Sequence, residues 1–154
     1  MTANNSFETF LHCVINNTSL HPLIPEILDT FSKIQLSKNE FFVASKSICK
    51  HFCYIETGIL QHSLIVSGEE KTTYLALKNS CTASLNSFKN RMPSRKSIKA
   101  ITDCSLLVIT IQEFEHLMQH NQAFYTFYYN LIENQIYKID DHRIDLLTLP
   151  PEDR

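Results

Sequence analysis

The middle of the chain contains a series of short segments rich in aromatic and β-branched residues. Between residues 34 and 111 these strand-like segments are EFFVA, HFCYIETG, ILQHSLIVSG, KTTYLALK, SIKAITD and SLLVITI. Gly58 and the SGEE sequence at Ser67–Glu70 mark turns between them. Strands of this length joined by tight turns predict an antiparallel barrel or roll. The chain has only two glycines, so Lys38–Asn39 and Asn79–Ser80 are expected to form other turns.

Helical patterns flank these strands on both sides. Residues 1–33 carry apolar residues at helical spacing, with Pro22 and Pro25 between two short helices. After the strands, the sequence IQEFEHLMQH predicts a short helix that ends at Asn121, and residues 122–147 predict a much longer one. The predicted fold class is α+β: a double-stranded antiparallel β-roll, jelly-roll-like, with N-terminal helices and a long C-terminal dimerisation helix.

Length and composition fit a single folded domain. At 154 residues with 44% hydrophobic content, the chain can bury a hydrophobic core. We expect one domain that comprises a helical N-terminus (1–33), a β-roll (34–111), a short helix plus the long dimer helix (112–147) and a truncated hinge (148–154). The N-terminus lacks the pattern of a signal peptide, and no apolar run approaches the ~20 residues that span a bilayer. A cytoplasmic protein without membrane contact is therefore expected.

Positive and negative charges are nearly balanced. The formal net charge is -2, which gives no general attraction to nucleic acid. The cations Arg91, Arg95, Lys96 and Lys99 lie in one stretch before the last predicted strand, where they indicate either a pocket for a phosphate or a solvated turn. The five cysteines are dispersed, odd in number and without a CxxC pair, so reduced thiols are expected.

The long helix carries an apolar stripe. Stripe residues recur at three- and four-residue steps, and those assigned to a dimer interface are Phe124, Phe127, Tyr128, Leu131, Gln135 and Ile139. A helix of this length, roughly 35 Å at 1.5 Å per residue, extends beyond a roll of short strands. Part of the stripe can cover the roll, and the rest is expected to pair with a second copy in a homodimer. Packing of the whole stripe on its own domain is the alternative.

Two N-terminal helices, a β-roll, a short helix and a long terminal helix, in this order, resemble the cyclic-nucleotide-binding-like sensor domain of the Crp/Fnr superfamily of transcription regulators. The resemblance covers about residues 23–154 and is carried by the sequences LSKNEFFVASKSICKHFCYIETGILQ, PSRKSIKAITDCSLLVI and EFEHLMQHNQAF. It implies a dimeric sensor whose pocket lies inside the roll, between a phosphate-binding segment and the long helix. The effector that it implies is a small molecule whose identity the sequence does not give.

The residues that contact a cyclic nucleotide in this superfamily are replaced in this chain. Alignment on Ala100 places the phosphate-pairing Arg at Ser94, the ribose-binding Glu near Ser84, and the base-contacting hydroxyls at Ile139 and Asp140. A serine supplies one neutral donor where an arginine fork supplies two charge-assisted hydrogen bonds. The resemblance therefore implies a degenerate pocket in which cAMP is not expected to bind, and no cofactor is expected.

Another small anion is an alternative ligand. Arg95 is displaced by one residue from the arginine position, and in an extended strand this shift turns a side chain to the opposite face. In an irregular segment, Arg95 and Lys96 could still point inward. Hydroxyls and backbone N–H groups of Thr82–Phe88 could also bind a carboxylate or phosphate. The candidate pocket residues are Thr82, Ser84, Leu85, Asn86, Ser87, Ser94, Arg95 and Lys96.

Neither a metal site nor a catalytic group is predicted. The three potential ligands of CKHFC, at Cys49–Cys53, would share one face of a strand, but ligands along one strand are about 7 Å apart, too far to share a zinc ion. His116 and His120 lie four residues apart on a helix without the glutamate of a zinc protease motif. His62 stands alone in its strand, and no Ser/His/Asp spacing or glycine-rich phosphate loop is recognisable. An enzyme is not expected.

The resemblance also implies what should follow the long helix. In the superfamily, a hinge leads into a DNA-binding helix-turn-helix of about 70 residues. This chain ends with LTLPPEDR at that point, so DNA binding is expected only through a domain absent from it. The chain is then either a trimmed sensor domain of a longer regulator or a stand-alone protein. The predicted function is an effector-sensing, dimerising regulatory domain; a ligand-free protein-interaction module and a sensor of another small anion are the alternatives.

Overall fold

The computed structural model of the protein describes residues 5–148, so the hinge predicted at 148–154 lies outside the described residues apart from Thr148. The helices are α1 (Asn5–Val14), a 3-10 helix (Thr18–Leu23), α2 (Ile24–Thr30), α3 (Leu85–Asn90), α4 (Ile111–His120) and α5 (Gln122–Thr148). The strands are β1 (Ser32–Leu36), β2 (Phe41–Val43), β3 (His51–Thr57), β4 (Leu60–Val66), β5 (Glu69–Ala76), β6 (Cys81–Thr82), β7 (Ser97–Ala100) and β8 (Cys104–Thr110). Within this part of the chain, no helix has the length and apolarity to cross a membrane.

The strands form two four-stranded antiparallel sheets, ordered β1-β8-β3-β6 and β2-β7-β4-β5. This arrangement confirms the predicted α+β roll with N-terminal helices and a long C-terminal helix. The six predicted strand segments correspond to β2, β3, β4, β5, β7 and β8. Two further strands lack a clear apolar pattern, because β1 is a largely exposed edge strand of mixed polarity and β6 has only two residues.

The hydrophobic core lies between the two sheets and under the helices. β8 is buried along almost its whole length because it lies between β1 and β3, which explains its continuous apolar sequence. Phe7 of α1 stacks on Tyr54 of β3 with ring centroids 4.6 Å apart, and it contacts Phe127 of α5 edge-on. The first and the last helix of the described chain therefore pack on the same side of the first sheet.

Gly58 forms the turn between β3 and β4 that the sequence predicts. Its φ of +96° lies in the left-handed region, and a Cβ at this position would lie 2.5 Å from the carbonyl oxygen of Asp103. Any other residue would strain the backbone and push the β7–β8 connection away. The β4–β5 turn uses Ser67 and Gly68, both with positive φ.

The junction between the two C-terminal helices is buried and hydrogen-bonded. Thr110 and Glu113 form a capping box at the start of α4. At its end, Asn121 accepts the Phe124 N–H at 2.9 Å through Oδ1, and its amide donates to the Leu23 carbonyl at 3.0 Å. The helix break at Asn121 therefore also ties the C-terminal helices to the N-terminal segment.

The predicted dimer stripe on α5 divides into two parts. Phe124 and Phe127 are fully buried in the core of their own domain, and Tyr128 and Leu131 pack against that core. These four side chains were assigned to a dimer interface, but they pack within their own chain. The reason is that the first half of α5 packs against α1, α2 and α4, whereas α5 is exposed from Asn134 onward.

Candidate functional site

A cavity of about 480 Å³ lies between the roll, α1 and α5. The strands contribute His62 and Thr82, α3 contributes Leu85, and the bend before β7 contributes Lys96. Phe10 and Val14 come from α1. The residues contributed by α5 are Tyr128, Leu131, Ile132, Asn134, Gln135 and Lys138. Cavities of this volume, lined by apolar surface and a few polar groups, are typical of small-molecule sites.

The segment that leads into β7 brings one of its cations to the cavity. Ser94, Ile98 and Ala100 are buried and face the interior of the roll. Arg95 and Lys96 lie in a bend just before β7, which is irregular backbone of the kind in which a cation can point inward. Lys96 is half-buried and lines the cavity, whereas Arg95 is exposed and does not line it. The basic stretch therefore has features of both a pocket segment and a solvated turn, because Lys96 reaches the cavity and its neighbour Arg95 is exposed to solvent.

Three buried serines, Ser84, Ser87 and Ser94, form what we call the serine cluster. Ser94 Oγ donates to the Lys96 carbonyl at 2.6 Å and lies 2.7 Å from Ser84 Oγ. Ser87 Oγ accepts the Cys49 N–H at 2.8 Å and donates to a backbone carbonyl. At the two positions that the resemblance assigns to the phosphate-pairing Arg and the ribose-binding Glu, serines thus satisfy each other, and neither lines the cavity.

The other predicted pocket residues occupy different surroundings. Thr82 and Leu85 line the cavity, in addition to Lys96. Asn86 is exposed on α3, where its Oδ1 accepts the Asn90 amide at 2.6 Å. α3 has only six residues, so its dipole adds little to an anion site. Of the predicted set, the structure brings three residues to the cavity.

His62, Thr82 and Lys96 form what we call the lysine end of the cavity. His62 Nε2 lies 2.8 Å from Thr82 Oγ1, and this contact links the two sheets because His62 belongs to β4 and Thr82 to β6. His62 Nδ1 is buried and has no hydrogen-bond partner within the described part of the chain. Burial, with a smaller contribution from the charge of Lys96, lowers the pKa of His62 to about 4. The imidazole is therefore neutral near pH 7.

Sequence reasoning missed His62 as a site residue. A signal was present, because Leu60 and His62 lie two residues apart in β4 and therefore share the inward face, where a polar side chain needs a partner. The alternation is obscured by a register shift between His62 and Ser63, so that both of these residues are buried.

Lys96 lacks an acidic partner within residues 5–148, since the ion pairs found there involve other residues. None of the described residues that line the cavity is an Asp or Glu. Burial lowers the pKa of Lys96 from its usual value. With Lys138 on the α5 side and a neutral imidazole, the cavity carries uncompensated positive charge, which favours an anion.

The segment of α5 that meets the cavity precedes the one implied by the resemblance. Ile139 and Asp140 do not line the cavity, whereas Leu131, Gln135 and Lys138 do. These three residues recur at helical spacing, and Ile139 lies one turn beyond Gln135. The polar groups that α5 presents to a ligand are therefore those of Asn134, Gln135 and Lys138.

Lys89 connects α3 with the C-terminal helices. Its Nζ lies 4.7 Å from the ring centroid of Phe114 in α4 and 5.5 Å from that of Tyr128 in α5. Distances of this size are typical of cation–π contacts. Because Tyr128 also lines the cavity, α3 and the cavity wall share a direct contact.

The donors considered for metal binding do not converge. Within residues 5–148, no three His, Cys, Asp or Glu side chains are placed to hold one ion. Cys53 is fully buried in β3, and burial raises the pKa of its thiol. His116 and His120 stack on α4 with ring centroids 4.4 Å apart, and His120 Nδ1 lies 3.0 Å from the His116 carbonyl oxygen.

The family model for the cyclic nucleotide-binding domain matches residues 33–121, which is more than half of the chain. The protein belongs to the cyclic nucleotide-binding domain family. The matched segment includes the roll and α4, whereas α1 and α5 lie outside it.

Three solved structures illustrate the shared fold. The catabolite activator protein of Thermus thermophilus has a TM-score of 0.70 at 14% identity, over 88% of this chain and 63% of that chain. The sensor domain of the transcriptional regulator DNR from Pseudomonas aeruginosa has a TM-score of 0.68 at 13% identity, over 92% of this chain and 95% of that chain. The regulatory domain of Toxoplasma gondii PKA, solved with cAMP, has a TM-score of 0.63 at 12% identity, over 73% of this chain and 43% of that chain. This chain thus spans less than two thirds of the Thermus and Toxoplasma chains. A search of curated protein sequences found no match.

Proposed function

We propose that the protein is an effector-sensing regulatory domain whose cavity binds a small anion. The observation that carries this proposal is a cavity with two lysines, Lys96 and Lys138, and no acidic residue among the described residues that line it. Lys96 is half-buried and Lys138 is exposed, so it is the partly desolvated ammonium of Lys96 whose cost an anion relieves. Structural similarity to the sensor domain of a transcriptional regulator supports the regulatory assignment.

The serine cluster supports a ligand other than a cyclic nucleotide. Ser84 and Ser94 occupy the positions that the resemblance assigns to ion-pairing groups, and they hydrogen-bond to each other outside the cavity lining. A cyclic nucleotide would lose the bidentate contact to its phosphate, which costs several kcal/mol when the anion is desolvated. Membership of the family therefore accounts for the roll, whereas the residues at the lysine end determine which ligand can bind.

Calorimetric titration with cAMP, cGMP and a panel of small anions tests the anion site. We expect an anion other than a cyclic nucleotide to bind saturably, and Lys96→Gln to abolish its binding heat. Arg95→Gln is the matched control, because Arg95 is the exposed neighbour of Lys96. Anion binding that survives Lys96→Gln contradicts the proposal. The absence of any binding favours the second candidate, a ligand-free interaction module, which the self-satisfied serine cluster also favours.

We further propose that the second half of α5 forms a homodimer. Its large apolar side chains that are at least 41% exposed are Ile136, Tyr137, Ile139, Ile144, Leu146 and Leu147. Of the residues first assigned to this interface, Gln135 and Ile139 lie in the exposed half. A ligand that contacts both Lys96 and Gln135 would favour one orientation of the helix pair.

Sedimentation of the wild type at micromolar concentration tests the dimer. Ile139→Glu should shift the protein to the monomer, because a charge in an apolar interface is costly to desolvate. Ile65→Glu is the matched control, since Ile65 is 70% exposed on β4 and distant in sequence from α5. A monomeric wild type, or a dimer unaffected by Ile139→Glu, contradicts this interface.

A further inference from the structure

The two ends of the cavity differ in chemistry. At the lysine end, His62 and Thr82 present polar atoms, and Lys96 lies close enough to His62 for its charge to act on the imidazole. Away from it, α1 contributes Phe10 and Val14 to the wall. A ligand that contacts both regions would combine a charged or polar end with an apolar body, while Asn134, Gln135 and Lys138 of α5 add polar groups to the lining.

The apolar wall is held in place by direct contacts between α1 and α5. Phe10 packs edge-on against Phe127, with ring centroids 5.9 Å apart. The Asn130 amide donates to the Val14 carbonyl at 2.9 Å. Leu131 and Ile132 of α5 line the cavity beside these α1 residues. The wall is therefore a built apolar surface and not a gap between loosely placed helices.

The lysine end suits a single negative charge. Lys96 is a point charge with no arginine beside it in the cavity lining, so the fork geometry that phosphates favour is missing among the described lining residues. The neutral His62 and the Thr82 hydroxyl add hydrogen-bonding capacity but no further charge. A carboxylate matches this set, because one oxygen can pair with the ammonium while the other accepts a neutral hydrogen bond.

We propose that the ligand is an amphipathic monocarboxylic acid, with its carboxylate on Lys96 and Thr82 and its aliphatic or aromatic body against Val14 and Leu131. This inference rests on the proposed anion-binding function and names the ligand class for the same cavity. His62 supports this placement through its other nitrogen: when Nε2–H donates to Thr82 Oγ1, the Thr82 hydroxyl is free to donate to the carboxylate.

Matched pairs of acids and neutral amides test the ligand class. Phenylacetate and hexanoate are titrated into 15N-labelled protein beside phenylacetamide and hexanamide, with calorimetry for affinity and amide chemical shifts for location. We expect each acid to bind roughly tenfold more tightly than its amide or better, since the two differ by one ion pair. The largest chemical-shift changes should fall at Thr82, Lys96 and Leu131.

Two lysine variants locate the charge. Lys96→Gln should remove the preference for acid over amide, and Lys99→Gln should leave it unchanged, because Lys99 lies nearby on β7 but does not line the cavity. Lys96→Arg keeps the positive charge, so it should retain a preference for the acids and shows that a loss in Lys96→Gln is not a folding defect.

The possible failures are distinguishable. Equal binding of acids and amides, or an acid preference that persists in Lys96→Gln, overturns the monocarboxylate assignment. Inorganic phosphate that binds through Lys96 while the acids do not overturns the ligand class but leaves the anion-sensing function intact. Binding of cAMP through Lys96 would also contradict the proposed selection against cyclic nucleotides. If none of these anions binds, both proposals fall.

Discussion

The serine cluster and the lysine end of the cavity are neighbouring polar regions inside one roll. They differ in whether their buried polar groups have hydrogen-bond or charge partners within the chain. In the serine cluster, the hydroxyls of Ser84 and Ser94 bond to each other and to backbone groups. At the lysine end, Lys96 lacks an acidic partner and His62 Nδ1 lacks a hydrogen-bond partner within the described chain. Because a satisfied polar group gains little from a ligand, binding capacity is expected where partners are missing.

The difference between the serine cluster and the lysine end predicts that a charge placed in the serine cluster has the largest effect on stability. Ser94→Arg should lower the free energy of unfolding by about 3 kcal/mol or more, because it buries a bulky unpaired cation and breaks the contact with Ser84. The matched control is Arg95→Ser at the exposed neighbour, which should change stability by about 0.5 kcal/mol at most. Urea unfolding of both variants measures the difference.

A well-folded Ser94→Arg protein would undermine the distinction between the two regions. If that variant also gained affinity for cAMP, the serine cluster would be an empty phosphate site and not a closed one. The combined variant Ser84→Glu with Ser94→Arg sharpens the test, since it restores both groups that the resemblance assigns there.

An intermediate effect is predicted at the lysine end on acidification. Burial holds the pKa of His62 at about 4 in the folded protein, below its ordinary value of 6.5. Unfolding therefore takes up a proton between about pH 6.5 and 4, so stability is complete above this window and falls as the pH decreases through it. From pH 7.5 to 5.5 the loss attributable to His62 is roughly 1 kcal/mol. Tyr74, edge-on at 5.3 Å, and the Lys96 charge face the same imidazole.

Urea unfolding of the wild type and of His62→Gln at both pH values measures this loss. The wild type should lose more stability than the variant, which cannot titrate at this position. Parallel pH profiles of the two proteins would show that His62 is solvated or has a partner that compensates its charge.

The smallest effect has the opposite sign. Lys96→Met should stabilise the ligand-free protein by roughly 0.5 kcal/mol, because it removes a partly desolvated charge whose pKa burial already lowers. Lys99→Met should leave stability nearly unchanged. Thermal unfolding compares the two, and a destabilised Lys96→Met would mean that the ammonium is paired in solution.

Much of the fold follows from local sequence. The aromatic and β-branched segments form six of the strands, Asn121 separates α4 from α5, and Gly58 occupies the turn where a side chain would not fit. These features depend on residues that are close together in the chain. The strands that escaped prediction, β1 and β6, are either largely exposed or only two residues long, so their sequences lack a periodic signal.

The candidate site was only partly predictable. Lys96 could be identified from the sequence as a candidate pocket residue, but its separation from Arg95 could not, because both residues lie in a bend before β7, where strand alternation does not apply. The contact between His62 and Thr82 could not be predicted either, because it crosses from one sheet to the other and depends on a register shift in β4. The α5 residues that line the cavity precede Ile139 and Asp140, and they could not be read from the sequence, because the point where α5 meets the roll depends on packing with α1 and α4.

The cavity wall joins segments that are far apart in the chain, as in the hydrogen bond between Asn130 and Val14, which are 116 residues apart. The family-matched segment supplies the roll and Lys96, whereas Val14 and Leu131 lie outside residues 33–121. Substitutions in α1 and α5 can therefore change the shape of the cavity while the roll that carries Lys96 stays the same. On the proposed binding mode, the charge that pairs with a ligand comes from the family-matched segment, and part of the apolar wall comes from helices outside it, so these two features can change independently.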